Sequence, residues 1–439
     1  MTFQEFIKLN DLNKLDDLVA LITLKGKELP VDFVYQAAEY LNPNRDLNAA
    51  YYTDNSICEY IFRELPDFED RNHIRVLEPS AGAGNFLPFI VEKYKDKKFL
   101  EIYLIDIDEK QLKIAELIFN TYYREKYPNV SLFYIHADYL KFTVEDKKFD
   151  LVIGNPPFAK VINTELLKQY RKTSLIKKST NLFVWFLEKT IKDGDWVSLI
   201  VPKSFLNAPE YIEIRNLVKS KHIHSIIDFG ENGFKGVKIE TINLLITSTQ
   251  EISFSHIKSL TQSIDITQAQ NYITDETYPV WLLYRNSFFD QFASTMKLGV
   301  FETFRDRQIV SKMISSHGKY RVLKSRNIVS NGIIDLDGYD AYIDDIKNLA
   351  VAKFLNKKYV VLIPNLSYSP RACFLPPNSI ANGSVALLTL KDKNMIVTAL
   401  DLALYATQEF SDYYRIARNF GTRSLNIDNN SVFFFGLRR

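Results

Sequence analysis

The sequence predicts an α/β fold followed by a second, strand-rich domain, and three observations carry that reading. From about residue 74, short apolar runs alternate with amphipathic stretches; several of the runs close on an acidic residue; and the rhythm changes near residue 250. Strand–helix alternation implies a mostly parallel sheet with helices on both faces. A chain of 439 residues also exceeds one ordinary core. The pattern divides it into a helical N-terminal extension (1–45), a sheet domain (46–250) and a second domain of α+β or mainly β character (251–439).

Each element has its own signal. Phe3, Phe6 and Ile7, then Leu15, Leu18, Val19 and Ile22, recur at helical spacing. IRVLE (74–78), EIYLID (101–106), SLFYIHA (131–137), FDLVIG (149–154) and WVSLIV (196–201) read as strands, and 109–127 and 181–194 as helices. HSIIDFG (224–230) and INLLITS (242–248) lie close together with no helix between them, which predicts an antiparallel hairpin at the sheet edge. Residues 250–290 are polar and mixed. Strand-like pieces then appear at 358–366 and 384–391 among turn signals at Asn331-Gly332, Asp337-Gly338 and Asn382-Gly383.

Composition narrows the class. The chain is 46% hydrophobic with a net charge of +2, and so small a charge still leaves room for one basic face. Cys58 and Cys373 are the only cysteines, and His222-x-His224 has no third ligand nearby, so neither a structural metal nor a disulfide framework is expected. The acidic N-terminus does not read as a signal peptide, and no apolar run reaches membrane-spanning length. A cytoplasmic protein is expected. Phe (31) and Tyr (25) are abundant enough that some rings could stack on a ligand rather than fill a core.

The chemistry-bearing stretches close successive strands. In VLEPSAGAGNF (76–86), Glu78 ends a strand and Gly82 and Gly84 follow in a tight turn. Glycines there let the backbone approach a small molecule at the carboxyl end of a parallel strand. The third glycine of a dinucleotide fingerprint is replaced by Leu87. Asp106 ends the next strand, where a carboxylate can accept hydrogen bonds from ribose hydroxyls, and Asp138 follows the third, with Tyr139 beside it. Three acids at three strand ends point to one ligand with a ribose and a donor-rich base.

The fourth strand ends in Asn155-Pro156-Pro157-Phe158. An amide carbonyl and a backbone carbonyl held together there can grip an exocyclic NH2 group. The prolines fix φ and remove competing donors, so the acceptors are set before the amine arrives. The ring of Phe158 can stack on the base that bears the amine.

Taken in order, these motifs resemble the S-adenosylmethionine-dependent amino-methyltransferases of DNA, specifically the gamma-ordered adenine-N6 class of restriction–modification systems. The resemblance covers roughly residues 48–248. AAYYTDNSICEYI (49–61) looks like motif X, with Thr53 at the cofactor-contacting position. EPSAGAGNF, including Glu78, Ser80, Gly82 and Gly84, looks like motif I; Asp106 and Asp138 like the motif II and III acids; and NPPF like the catalytic motif IV. Phe234 falls where the family places a motif VIII aromatic against the flipped base. Motif II departs from many relatives in having Asp rather than Glu, and a shorter acid can still bind ribose.

The resemblance implies a Rossmann-like seven-stranded methyltransferase sheet with a C-terminal target-recognition domain. It further implies S-adenosylmethionine as cofactor and methylation of an adenine flipped out of duplex DNA. Phosphate contacts are expected from Lys168, Arg171, Lys172, Lys177 and Lys178 after the catalytic turn. Further ones are expected from Arg321, Lys324 and Arg326, and from Arg415, Arg418, Arg423, Arg438 and Arg439 near the end. A monomer is expected, with a separate cognate restriction endonuclease as a candidate partner. Methylation of RNA adenine or of a protein glutamine, and an inactive DNA-binding module, remain open. So does a protein-interaction role for the C-terminal basic surface.

Overall fold

The computed structural model describes residues 1–44, 53–143, 148–233, 239–249, 253–365, 370–422 and 426–439. Two compact units emerge: residues 1–205 with 210–271, and residues 206–209 with 272–439.

The first unit begins with helices α1 (Phe3–Leu9), α2 (Leu15–Lys25) and α3 (Val31–Tyr40). Next come α4 (Asn55–Glu64), β1 (His73–Glu78), α5 (Leu87–Lys93), β2 (Phe99–Asp106), α6 (Glu109–Tyr122), β3 (Val130–His136) and β4 (Phe149–Gly154). After them run α7 (Thr164–Thr173), α8 (Leu182–Asp193), β5 (Gly194–Pro202), α9 (Ile212–Lys219), β6 (His222–Gly230), β7 (Thr241–Thr247), β8 (Phe254–Ser259) and β9 (Ile264–Ala269).

The strands form one sheet in the order β3-β2-β1-β4-β5-β7-β6-β8-β9. β3, β2, β1, β4 and β5 run parallel, and β7 is antiparallel to both of its neighbours. The chain winds outward from β1 to β3, then returns to place β4 on the other side of β1. That reversal opens a crevice beyond the carboxyl ends of β1 and β4. Buried apolar residues such as Ile74, Val76, Ile102, Leu104, Leu151 and Ile153 cover the sheet. α6 starts where the Asp108 carboxylate caps the amides of Lys110 and Gln111, and it buries Leu112, Ala115 and Phe119.

Two expectations are corrected. The β6–β7 hairpin is not at the edge: β8 pairs parallel with β6, and β9 closes the sheet antiparallel to β8. The sheet therefore has nine strands rather than seven. Residues 254–269, too polar to read as strands, face outward on β9 (Ile264–Ala269), where no position is buried. The first compact unit accordingly runs to Asn271.

The N-terminal helices are packed against the sheet's helical layer. Leu18, Ile22 and Val34 share a buried cluster with Ile114 and Ile118 of α6 and with Ala83 of the glycine turn. The Gln111 side chain also donates to the Ala38 carbonyl at 3.2 Å.

The second unit contains a four-stranded sheet in the order 301–304, 385–390, 361–364, 373–374, and a three-stranded sheet of 342–343, 320–323 and 379–381. Many of its aromatic rings pack on one another: Phe289 stacks on Tyr413 at 4.8 Å, and Phe410 lies 5.0 Å from Tyr405. Asn331, with φ of 59°, makes the tight turn between 328–329 and 332–333. Cys58 and Cys373 are free and buried. No helix among the described residues is long and apolar enough to cross a membrane.

Leu18→Ala should lower the stability of the first unit by about 2–5 kcal/mol, the usual cost of emptying a buried leucine site. Urea denaturation followed by tryptophan fluorescence checks this; an unchanged midpoint would mean that the helices are not integral to the unit.

Candidate active site

The carboxyl ends of β1, β2, β3 and β4 bring Glu78, Asp106, Asp138 and Asn155 to the wall of one cavity of about 350 Å³. Thr53, Ser80, Gly82 and Tyr139 line the same space.

Gly82 and Gly84 adopt φ of 52° and 81°, which side-chain-bearing residues rarely tolerate. A Cβ on Gly82 would meet no protein atom within 4 Å, so the turn leaves open space there. It also turns the Gly82 amide onto Asp106 Oδ2 at 2.7 Å, while the Asp108 amide donates to Oδ1 at 2.8 Å. Both oxygens of Asp106 are thus oriented, and each keeps a second acceptor position.

Glu78 is 2% exposed and its Oε2 has no hydrogen-bond partner. Burial raises its carboxyl well above the ordinary value of 4.5, and the neighbouring Asp106 charge raises it further. Asp106 is raised by its own burial, against which the Asp108 and Gly82 amides pull down. Asn85, also on the wall, has a buried Oδ1 without a partner. A wall of unsatisfied acceptors is costly in the absence of donors. It suits a ligand that brings hydroxyls and a positive charge, and a nucleoside with a cationic tail fits that donor set.

Asp138 Oδ1 accepts from the Leu140 amide at 3.1 Å, and its Oδ2 accepts from the Tyr170 hydroxyl at 3.0 Å. Tyr139 contributes its ring rather than its hydroxyl, which donates to Asp193 at 2.7 Å. Ile107 lines the cavity while 60% exposed, an apolar surface beside Asp106 for a base to cover.

At the β4 end, the Asn155 amide nitrogen makes a long contact of 3.5 Å to Thr53 Oγ1, which turns the amide oxygen away from Thr53. The Ser80 hydroxyl donates to the Asn155 carbonyl at 3.2 Å, tying the glycine turn to the turn that closes β4. Pro156 is buried and Pro157 lines the cavity. Phe158 does not line it: its ring stands edge-on to Phe183 at 6.2 Å. Asn181 donates to the Phe158 carbonyl at 2.9 Å while capping the first turn of α8.

The sequence reading missed several contributors. Glu39 and Asn42 of the N-terminal segment, Gln111 of α6, and Leu166 and Tyr170 of α7 all line the cavity. Their spacing carries no ligand signature; only the fold assembles them.

The expected phosphate contacts divide. Arg321 pairs with Asp335 at 2.6 Å and Asp340 at 2.9 Å, so its guanidinium is committed within the fold. Arg418 is buried, and Arg171 donates to the Ser179 carbonyl at 3.0 Å. Lys177 Nζ bonds the Arg171 carbonyl. Lys172 is exposed, and Lys324 and Arg326 lie over the Tyr339 ring at 3.9 and 4.9 Å. Phe234 and Arg423 lie outside the described residues.

Residues 100–234 match the family described as Eco57I restriction-modification methylase. The chain is similar to the type II methyltransferase M.CvrRI of Paramecium bursaria Chlorella virus XZ-6E, with 26% identity over 207 residues, 46% of this chain and 49% of the relative. Modification methylase CviBIII of Paramecium bursaria Chlorella virus NC1A is 24% identical over 203 residues, 45% and 49% of the two chains. The chain thus spans about half the length of these curated relatives. In fold it is similar to the type IIL restriction-modification enzyme MmeI (TM-score 0.52, 13% identity, 96% of this chain and 67% of that one). The type IIG restriction endonuclease BpuSI is comparable (TM-score 0.51, 14% identity, 98% and 63%).

The raised carboxyl of Glu78 has a pH signature. A buried acid with a raised value favours the folded state fully below its ordinary 4.5. That contribution is lost as pH rises toward the raised value. From pH 4.5 upward the ligand-free protein should therefore lose melting temperature relative to Glu78→Gln. Parallel melting curves for the two proteins across that range would contradict the assignment.

Proposed function

We propose that this chain is a site-specific DNA adenine-N6 methyltransferase that uses S-adenosylmethionine. The observation that carries the reading is the placement of Asn155, beside Thr53, on the wall of the cavity that also holds Glu78, Asp106 and Asp138.

When bound, S-adenosylmethionine supplies an electrophilic methyl group on a sulfonium. The protein's part is to hold and orient. Asp106, pinned by two backbone amides, presents acceptors to ribose hydroxyls, and Asp138 presents them to the exocyclic amine of the base. Glu78 gains a positive partner that favours its ionised form. The Asn155 amide oxygen and the Pro156 carbonyl accept from the two hydrogens of the target amine, which directs the nitrogen lone pair toward the reacting carbon. No charged base is needed, because the nitrogen sheds its proton after the bond forms. In this reading Phe158, held by Asn181 and Phe183, offers its ring to an extruded base. Stacking worth roughly 1–3 kcal/mol per base offsets part of the cost of flipping. The same turn could serve RNA adenine or a glutamine amide; the basic positions at Lys172, Lys324 and Arg326 favour a nucleic acid over a protein, and suit RNA as well as DNA.

Labelled cofactor incubated with duplex DNA, RNA and protein extract separates these outcomes, and label in protein alone would overturn the proposal. Asn155→Ala should lower kcat by roughly 10²–10³-fold, as loss of one preset polar group in a dry site does, with cofactor affinity within about threefold. Near-normal turnover would exclude the amine-holding role. Neutralising Lys324 and Arg326 should weaken DNA binding and flatten its salt dependence, by a slope of about 0.9 for each phosphate no longer neutralised. Arg321→Gln should instead act on stability.

A further inference from the structure

Tyr170 has no role in the mechanism above, yet it makes one of the site's best-defined contacts. It lies on α7, capped at its start by Asn163, and it is 8% exposed. Its ring packs against Trp185 with centroids 5.5 Å apart, and its hydroxyl donates to Asp138 Oδ2 at 3.0 Å. Lys141 Nζ lies 3.5 Å from the same oxygen and 5.9 Å from the Tyr170 ring. The Leu140 amide holds the other oxygen at 3.1 Å. Burial and the adjacent Asp138 push the Tyr170 hydroxyl's pKa upward, so it remains a donor across the working pH range.

The arrangement repeats what the backbone does at Asp106, where the Gly82 and Asp108 amides each take one carboxylate oxygen. A carboxylate held at both oxygens cannot rotate, and its remaining acceptor positions keep a fixed direction. At Asp106 both donors come from the backbone, whereas at Asp138 one comes from a side chain 32 residues away that lines the same cavity. A carboxylate fixed in this way accepts from an amino group and repels a ring carbonyl, whose oxygen would face it.

We propose that Tyr170 is a positioning residue that sets the site's preference for a base carrying an exocyclic amine, acting through Asp138. The proposal rests on the reading of the cavity as a nucleoside site given above. It also accounts for α7 at the cavity wall, since the helix bearing exposed Lys172 supplies the donor that orients the base-reading acid.

The test uses the full chain and two probes, S-adenosylhomocysteine and its deaminated inosyl counterpart, titrated calorimetrically against the wild type and Tyr170→Phe. The substitution removes one oxygen and keeps the ring against Trp185. The wild type should prefer the adenosyl ligand. Tyr170→Phe should lose roughly tenfold in affinity for it, in keeping with a bond to a charged group, while the inosyl ligand binds as before. In the Asp138→Ala background, Tyr170→Phe should change neither affinity. Unchanged inosyl binding serves as the internal control for an intact pocket. An equal loss for both ligands would reduce Tyr170 to a structural prop and overturn the proposal, as would no loss for either. If the wild type bound neither probe, the nucleoside reading of the cavity would fall as well.

Discussion

Parallel hydrogen bonding among β3, β2, β1 and β4 is the constraint on which the rest of the site depends. The register sets Asp106 opposite His136, Glu78 opposite Leu104, and Leu77 opposite Val152. All four strands therefore end on the same edge of the sheet. Groups separated by as many as 77 positions, from Glu78 to Asn155, meet without any of them being neighbours in sequence. A one-residue slip would move each strand's side chains to the opposite face and dissolve the cluster.

The cluster is electrostatically demanding. Glu78 is buried beside the half-buried Asp106, and desolvation raises both carboxyls. The fold offsets this cost unevenly. Asp106 and Asp138 each receive a donor at both oxygens, whereas Glu78 Oε2 has none. Strain is concentrated where the ligand can relieve it, which is the usual location of an unsatisfied buried group in a working site. The Asn155–Phe158 turn is braced differently. Asn181 holds the Phe158 carbonyl, and Ser80 holds the Asn155 carbonyl. The turn is thereby coupled to α8 and to the glycine turn together.

The parallel half of the sheet was legible because β1, β4 and β5 are largely buried and read as short apolar runs, and β2 and β3 carry enough apolar residues to continue the rhythm. Glu78, Asp106, Asp138 and Asn155 were legible because each directly closes or follows such a run. The outer strands were not. β9 buries none of its six residues, so nothing in its composition separates it from a polar loop. The cavity wall from α3 and α7 was equally silent: Glu39 and Tyr170 sit on ordinary helical patterns and reach the site only through tertiary packing. Charge clusters misled where acids distant in sequence claim the cation, as Asp335 and Asp340 claim Arg321. A run of basic residues gives the number of charges and leaves their partners unstated.

The central claim is that the strand-end cavity binds a nucleoside with its reacting end toward Asn155. A crystal structure of the full chain with S-adenosylhomocysteine tests it most directly. The account predicts ribose hydroxyls on Asp106, the adenine amine on Asp138, and the sulfur facing the Asn155 amide. A ligand bound outside this cavity, or reversed so that its base lies against Asn155, would contradict it.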